Sequence, residues 1–354
     1  MISVIIPVLE INYYIIFENL PAFEKQSYTD FEVIVLPNQH TQYDVTLLQK
    51  YPWLRIIPTG KITRPAEKRD IGVKESKGDV IAFIDDDAYP TPDWLEKAST
   101  YFPRSEEGHL RGVLAADVRG KIVALGGPGI LPPNANDWEK AFDEVFKTWV
   151  GSGGYSYRFI KGKKQFVDDY PSVNFFIRKD VFQEVGGFNS EYWPGEDSKL
   201  CEDIVYKLKA KIQYDPNVLV YHHRRTEPSK YFKQHGNYGY HRGAFFAHGD
   251  KNSRRLTYLI PTFFVLYLTT LLPFIFQTSY ALYVTRYTFI YFIPFLLYLF
   301  FCLYLFLKAL INTHSLKIAL LAPMILFLTH IRYGTMFVKG FFVGMRNKEK
   351  IYGN

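Results

Sequence analysis

Three adjacent aspartates, Asp85-Asp86-Asp87, follow directly on an apolar run, Val80–Ile84. Neighbouring carboxylates repel one another, and a strand end tolerates them when a cation or hydrogen-bond donors neutralise them. Hard divalent cations take carboxylate oxygens, and Mg²⁺ or Mn²⁺ commonly shares one or two protein carboxylates with a diphosphate. In an extended segment Asp85 and Asp87 point one way and Asp86 the other, so Asp85 and Asp87 form the natural ligand-facing pair. A solvated turn capping a helix that starts near Pro92 is the plainer use of the same residues. A second acidic pair, Glu196-Asp197, stands at a helix start after Pro194-Gly195. The helix dipole keeps a carboxylate ionised there, and capping is again the plainer use. His222-His223-Arg224-Arg225 follow a last strand signal. His222 could complete a metal site and Arg224 could clamp a diphosphate; a membrane-facing cationic cluster is the alternative. Arg69 could pair with a neighbouring acid, Glu67 or Asp70, on its own helix.

The elements that must position these groups alternate along residues 1–100. Ser3–Val8, Phe31–Leu36, Leu54–Pro58 and Val80–Ile84 read as strands. Ile15–Lys25, Pro65–Ser76 and Pro92–Phe102 read as helices, the second with proline in its first turn. Such alternation predicts an α/β fold with a mixed, mostly parallel sheet covered on both faces, and ligands at the carboxyl ends of its strands. Pro7, Asn38 and Asp85 to Asp87 all end strands and are therefore candidate contacts. Further on, Gly126–Asn136 reads as loop and Gly151–Gln165 as a glycine-rich candidate lid. Asn174–Arg178 and Val218–His222 read as strands, and Asp180–Gly187 and Glu196–Lys211 as helices. Cys201 and Cys302 are too few for a disulfide framework or a cysteine zinc site, and both are expected to be buried thiols.

The segment AEKRDIGVKESKGDVIAFIDDDAYPTPDWL, Ala66 to Leu95, resembles the signature of the family 2 glycosyltransferases of the GT-A fold. In that family an Arg-Asn/Asp-x-Gly helix precedes a strand ending in an Asp-x-Asp motif. The opening SVIIPV resembles the family's first strand. Gly186-Gly187-Phe188 followed by Glu196-Asp197 resembles its acceptor-side segment, and YDPNVLVYHHRR, Tyr214 to Arg225, its closing strand. The resemblance covers about residues 1–250. It implies that Asp87 holds Mn²⁺ or Mg²⁺, that Asp85 contacts the metal or the ribose, and that Asp197, beside Glu196, is the catalytic base. It turns Arg69 toward the nucleotide, and the donor site then takes in Pro7, Asn38, Arg69, Asp85, Asp86 and Arg224, with His222 as a third metal ligand. Where many members carry an acidic residue after the second strand to read the base, this chain has Asn38. The family's processive Gln-x-x-Arg-Trp motif is absent from Gln234 to Arg242, which argues against a processive synthase.

Charge placement sets the surroundings. The chain of 354 residues carries a net +7, yet residues 1–255 balance at zero and residues 256–354 hold eight basic side chains against Glu349 alone. Basic residues flanking apolar spans exclude a nucleic-acid stripe. Residues 226–255 mix six Lys/Arg with many aromatics, which suits a collar in the headgroup layer, and residues 1–225 then form a cytosolic GT-A domain. From Leu256 to Leu307 only Arg286 is charged, so two spans are expected at about 257–277 and 287–307, with a turn near Gln277–Arg286. Residues 315–342 are expected to form a third span or, by preference, a re-entrant segment, because His330 and Arg332 interrupt the apolar run. Two crossings keep Lys308, Lys317, Arg346, Lys348 and Lys350 inside. No basic leader precedes SVIIPV. The expectation is an integral membrane enzyme of a bacterial or archaeal cell membrane with its catalytic domain on the cytoplasmic face. It would move sugar from a nucleotide-sugar donor to a lipid-linked or surface-glycan acceptor. A polyisoprenyl-phosphate acceptor, a nucleotidyltransferase and a non-catalytic membrane scaffold are the rivals.

Overall fold

The computed structural model describes residues 1–103, 118–188, 195–278 and 286–346. The turn expected near Gln277–Arg286, residues 189–194 and the terminal Lys348 and Lys350 lie wholly or partly outside them. The chain divides into a sheet unit, Met1–Pro132 with Tyr157–His223, and a helical unit, Pro133–Ser156 with the chain from Arg224 onward.

In the sheet unit the strands are β1 (Ile2–Pro7), β2 (Phe31–Leu36), β3 (Leu54–Ile56), β4 (Val80–Ile84), β5 (Ala88–Pro90), β6 (Ile122–Gly126), β7 (Gly129–Ile130), β8 (Gln165–Val167), β9 (Asn174–Arg178), β10 (Lys211–Tyr214) and β11 (Val220–His222). Eight of them form one sheet in the order β3-β2-β1-β4-β9-β6-β10-β8. The β1–β2, β1–β4, β2–β3 and β6–β10 pairs are parallel, whereas β9 runs antiparallel to both β4 and β6. β1 and β4 are buried throughout. That is the expected state of central strands covered on both faces, and it explains their unbroken apolar runs. A small second sheet, β5-β11-β7, stands beside the ends of these strands. Gly129-Ile130, expected within a loop, contributes its third strand.

The helices of this unit are α1 (Leu20–Glu24), α2 (Asp44–Lys50), α3 (Pro65–Glu75) and α4 (Trp94–Ser99), and later α6 (Lys179–Glu184) and α7 (Glu196–Glu202). The expected Ile15–Lys25 helix begins as a π-helical turn, Ile15–Asn19, and α7 likewise runs into a π turn, Asp203–Lys207. α3 lies close on β1 because Gly72 permits it: a Cβ there would stand 2.6 Å from Ile5 Cγ2. The glycine of the Arg-Asp-x-Gly motif is thus a packing requirement that brings the polar groups of α3 down to the strand ends.

The helical unit contains α5 (Asp137–Phe146), α8 (Pro228–His248), α9 (Leu256–Thr278), α10 (Arg286–Thr313) and α11 (Leu316–Arg346). α5 opens with a complete capping box, Asn136 and Glu139 each accepting from the other's backbone N–H. Residues 133–156, read within the amino-terminal domain, thus pack in this unit instead. The collar is helical, and α8 approaches α11 closely. Cβ atoms at Gly239 and Gly243 would lie 2.3 and 2.1 Å from the Tyr333 and Phe337 carbonyl oxygens. α11 covers the stretch expected as a third span or a re-entrant segment. It is one continuous helix of 31 residues, about 46 Å at 1.5 Å per residue. His330 does not break it, because its ring is buried within hydrogen-bond reach of the Tyr298 hydroxyl at 3.2 Å. Arg332 lies across Gly236 of α8. Ile290–Thr313 and Leu316–Arg346 are long and apolar enough to cross a membrane; the apolar stretch of α9, Leu256–Leu271, is shorter.

Candidate active site

The candidate residues meet where β1, β2 and β4 end. β4 delivers Asp85, Asp86 and Asp87, all half-buried. The chain then enters β5, whose Ala88 stands opposite His222 of β11 in antiparallel register. A backbone bond from His223 N–H to the Asp87 carbonyl at 3.0 Å fastens the two segments. Strand alternation then separates the two histidines. His222 Nε2 lies 3.3 Å from Asp87 Oδ1, whereas His223 turns to Glu18 at 2.9 Å. One ligand atom each from Asp85, Asp87 and His222 lies within 4.8 Å of the others. Two carboxylate oxygens and an imidazole nitrogen are donors that a divalent cation such as Mn²⁺ takes. Asp86, in the turn closed by the Ala88 N–H on the Asp85 carbonyl at 3.2 Å, accepts from the Asn12 side-chain amide. Burial and then its neighbours Asp87 and Asp85 push its pKa up to about 7.

Arg69 links this group to the second acidic pair. It is 4% exposed; its Nη2 donates to Asp85 Oδ1 at 2.7 Å and its Nη1 lies 3.6 Å from Glu196 Oε1. The guanidinium also stands over the Phe188 ring. Glu67, its alternative partner on α3, lies by Arg64. Asp70, next in the motif, accepts the Phe188 N–H at 3.0 Å, which joins α3 to the Gly186-Gly187-Phe188 turn. Asp197 is half-buried with Oδ1 enclosed and not hydrogen-bonded. Burial first, then Glu196 and Asp85, raise its pKa, while Arg69 and the Ser172 N–H oppose them; the balance lies near 7. A carboxylate poised there suits a general base at neutral pH.

Pro7 is buried as the last residue of β1. Asn38, just past β2, is bound by a residue that the sequence reading passed over. Lys68 is buried, and its ammonium donates to Asn38 Oδ1 and to the carbonyls of Val8 and Leu36. Its spacing of four from Gly72 puts it on the sheet-facing side of α3, a signal present in the sequence. Arg224 has a different setting. It is buried in the helical unit, where Nε and Nη2 donate to Asp143 Oδ1 at 3.0 and 2.8 Å. The candidate lid is partly ordered: Ser156–Arg158 form a 3₁₀ turn and the segment ends in β8.

Comparisons with known proteins identify the family. The profile described as "Glycosyl transferase family 2" matches residues 3–115, and that of "Glycosyl transferase family group 2" matches residues 80–307, more than half of the chain. A pre-mycofactocin glycosyltransferase of Mycobacterium tuberculosis is 27% identical over 49% of this chain, which spans only 33% of that relative. A dolichyl N-acetyl-α-D-glucosaminyl phosphate 3-β-D-2,3-diacetamido-2,3-dideoxy-β-D-glucuronosyltransferase of Methanococcus voltae is 24% identical over 89% of this chain and 98% of its own. A glucosyl-dolichyl phosphate glucuronosyltransferase of Haloferax volcanii is 26% identical over 44% of this chain and 46% of its own. Among solved structures, the mannosyltransferase PcManGT of Pyrobaculum calidifontis has a TM-score of 0.47 at 14% identity, covering 99% of this chain and 88% of its own. The chain belongs to the family 2 glycosyltransferases.

Proposed function

We propose that this protein is a membrane-anchored, metal-dependent, inverting glycosyltransferase that moves a sugar from a nucleotide-sugar donor to a lipid-linked acceptor. The observation that carries the reading is the convergence of Asp85, Asp87 and His222 at the strand ends, with Arg69 bridging from Asp85 to Glu196. Held by these three ligands, Mn²⁺ or Mg²⁺ would neutralise charge on the departing nucleoside diphosphate. Asp197 accepts the proton of the acceptor hydroxyl as it attacks the anomeric carbon, on the face opposite the departing diphosphate. Arg69 keeps Glu196 and Asp85 apart while shielding their repulsion. Asn38, Asp86 and Pro7 line the donor side. Arg224 acts as a strut in the helical unit.

Ile290–Thr313 and Leu316–Arg346 anchor the chain in the membrane, with the catalytic residues on the cytoplasmic side. The names of the archaeal relatives, which specify dolichyl-linked substrates, favour a lipid-borne acceptor. Purified protein assayed with a panel of nucleotide sugars tests the reading. Mn²⁺-dependent release of nucleoside diphosphate is expected with at least one donor, and release with none overturns it. A lipid phosphate as acceptor needs little base catalysis, so near-full activity in Asp197→Asn would favour that second reading.

A further inference from the structure

The exposed face of α11 changes character halfway along the helix. Exposed side chains recur every three or four residues and so share one face. In the first half that face carries Leu320, Met324 and Leu328, each at least 40% exposed. In the second half it carries Arg332, Lys339 and Arg346, with Thr335 and Phe342 between them, all exposed. The three cations follow one another at two-turn intervals, about 10 Å each. Neither α11 nor α8 contains an acid to balance them. What the second half packs on decides its surroundings. Its opposite face lies against α8 through glycines of both helices. Cβ atoms at Gly340 and Gly344 would stand 1.8 Å from Tyr240 O and 3.0 Å from Ala244 Cα, and Gly239 and Gly243 of α8 meet α11 as closely. α8 in turn keeps Ser229, Lys230, Lys233, Asn237 and Tyr238 exposed, a polar surface that hydrocarbon does not accommodate. Lys317, at the start of α11, forms an exposed pair with Asp137. The stretch from Lys317 to Arg332 covers only about 22 Å, against about 30 Å of hydrocarbon in a bilayer.

We infer that the face formed by Arg332, Lys339 and Arg346 binds the phosphate headgroups of an anionic lipid surface, so that this half of α11 lies along the membrane and not across it. The inference rests on the membrane anchoring proposed above. Two observations choose the partner. The charge of the face is of one sign, complementary to an anionic leaflet, which attracts each Lys or Arg held near it. The face also continues in line with Leu320, Met324 and Leu328, the part of the same helix that meets the lipid chains. A lysine or arginine there lays its stem on the apolar surface and reaches the phosphate with its head, and Phe342, between two of the cations, suits the headgroup boundary.

The test uses the full-length protein in bilayer nanodiscs. Leu320→Cys, Thr335→Cys and Phe342→Cys, each spin-labelled in a Cys302→Ala background that retains only the buried Cys201, report depth by collision with oxygen against a water-soluble nickel chelate. Leu320 should lie in hydrocarbon. Thr335 and Phe342 should lie at one headgroup depth, although about 10 Å apart along the helix. Melting temperature in phosphatidylcholine discs with and without phosphatidylglycerol reports the charge. Wild type should gain at least about 4 °C from the anionic lipid, the scale of a few favourable charge contacts in a chain of this size. The gain should vanish in the triple variant Arg332→Gln, Lys339→Gln, Arg346→Gln, with melting in phosphatidylcholine alone unchanged. Labels at Thr335 and Phe342 that sit in bulk water or step through the hydrocarbon overturn the inference and leave the anchoring standing. So does the absence of a gain, or a gain undiminished in the triple variant. A label at Leu320 in water overturns both.

Discussion

In α5, Asp143 and Glu144 are 0% and 1% exposed, yet their charge is matched side chain by side chain. Arg224 donates twice to Asp143, Lys147 lies 2.8 Å from Asp143 and 2.9 Å from Glu144, and the Asn312 amide donates to Glu144 at 2.8 Å. Burial pushes the Lys147 pKa down, but the two acids outweigh it and hold it above its ordinary value. At the strand ends, Asp85, Glu196 and Asp197 gather about Arg69, with Asp86 and Asp87 next in the chain to Asp85, and the outcome is opposite. Burial and like charge push Asp86 and Asp197 up to about 7. The difference separates a strut from a site. Acids balanced within the chain hold elements together, whereas acids left repelling one another in a cleft await a cation or a proton from outside.

Asp197→Asn should break the comparison most sharply, because the two clusters predict effects of opposite sign. Turnover should fall about 10²–10⁴-fold, the usual contribution of a general base, with nucleotide affinity unchanged by calorimetry. Stability should rise. A folded-state pKa near 7 against the ordinary 3.8 means that the folded chain binds this proton more tightly than the unfolded one. The ionised group therefore costs stability progressively as pH rises between those values. The gain in melting temperature should be larger at pH 8 than at pH 5, and the wild-type rate should rise with pH through about 7. Arg224→Ala should act in reverse: about 1–3 kcal/mol of stability lost, because buried Asp143 loses two hydrogen bonds and keeps only Lys147, seen in thermal denaturation. Replacing Arg224 and Asp143 together by apolar residues should recover most of it. Gly72→Ala should cost about 1–3 kcal/mol by overpacking against Ile5, with a fall in activity as α3 shifts Arg69. Lys317→Ala, which removes an exposed pair with Asp137, should leave the melting temperature unchanged within error.

Much of the site could be read in the sequence because it hangs on strand ends, and buried parallel strands announce themselves as unbroken apolar runs. Val80–Ile84 and Asn174–Arg178 match their observed strands residue for residue. What escaped depends on distant pairing. Nothing local marks β9 as the antiparallel strand between β4 and β6, or residues 133–156 as partners of membrane-type helices. His330 and Arg332 look like interruptions until Tyr298 and Gly236 stand beside them. Lys68 hid for the same reason: a lysine is expected at the surface, and only the three oxygens of Val8, Leu36 and Asn38 explain its burial.

The most direct test of the account is nucleoside diphosphate binding measured calorimetrically with Mn²⁺ and with EDTA, in wild type and in Asp87→Asn. Wild type should bind in Mn²⁺ and lose at least about a hundredfold in EDTA, and Asp87→Asn should bind weakly in both, since the metal bridges carboxylate and diphosphate. Equal binding by wild type in Mn²⁺ and EDTA, or metal-dependent binding that survives in Asp87→Asn, would contradict the claim that the strand-end acids form a metal-dependent donor site.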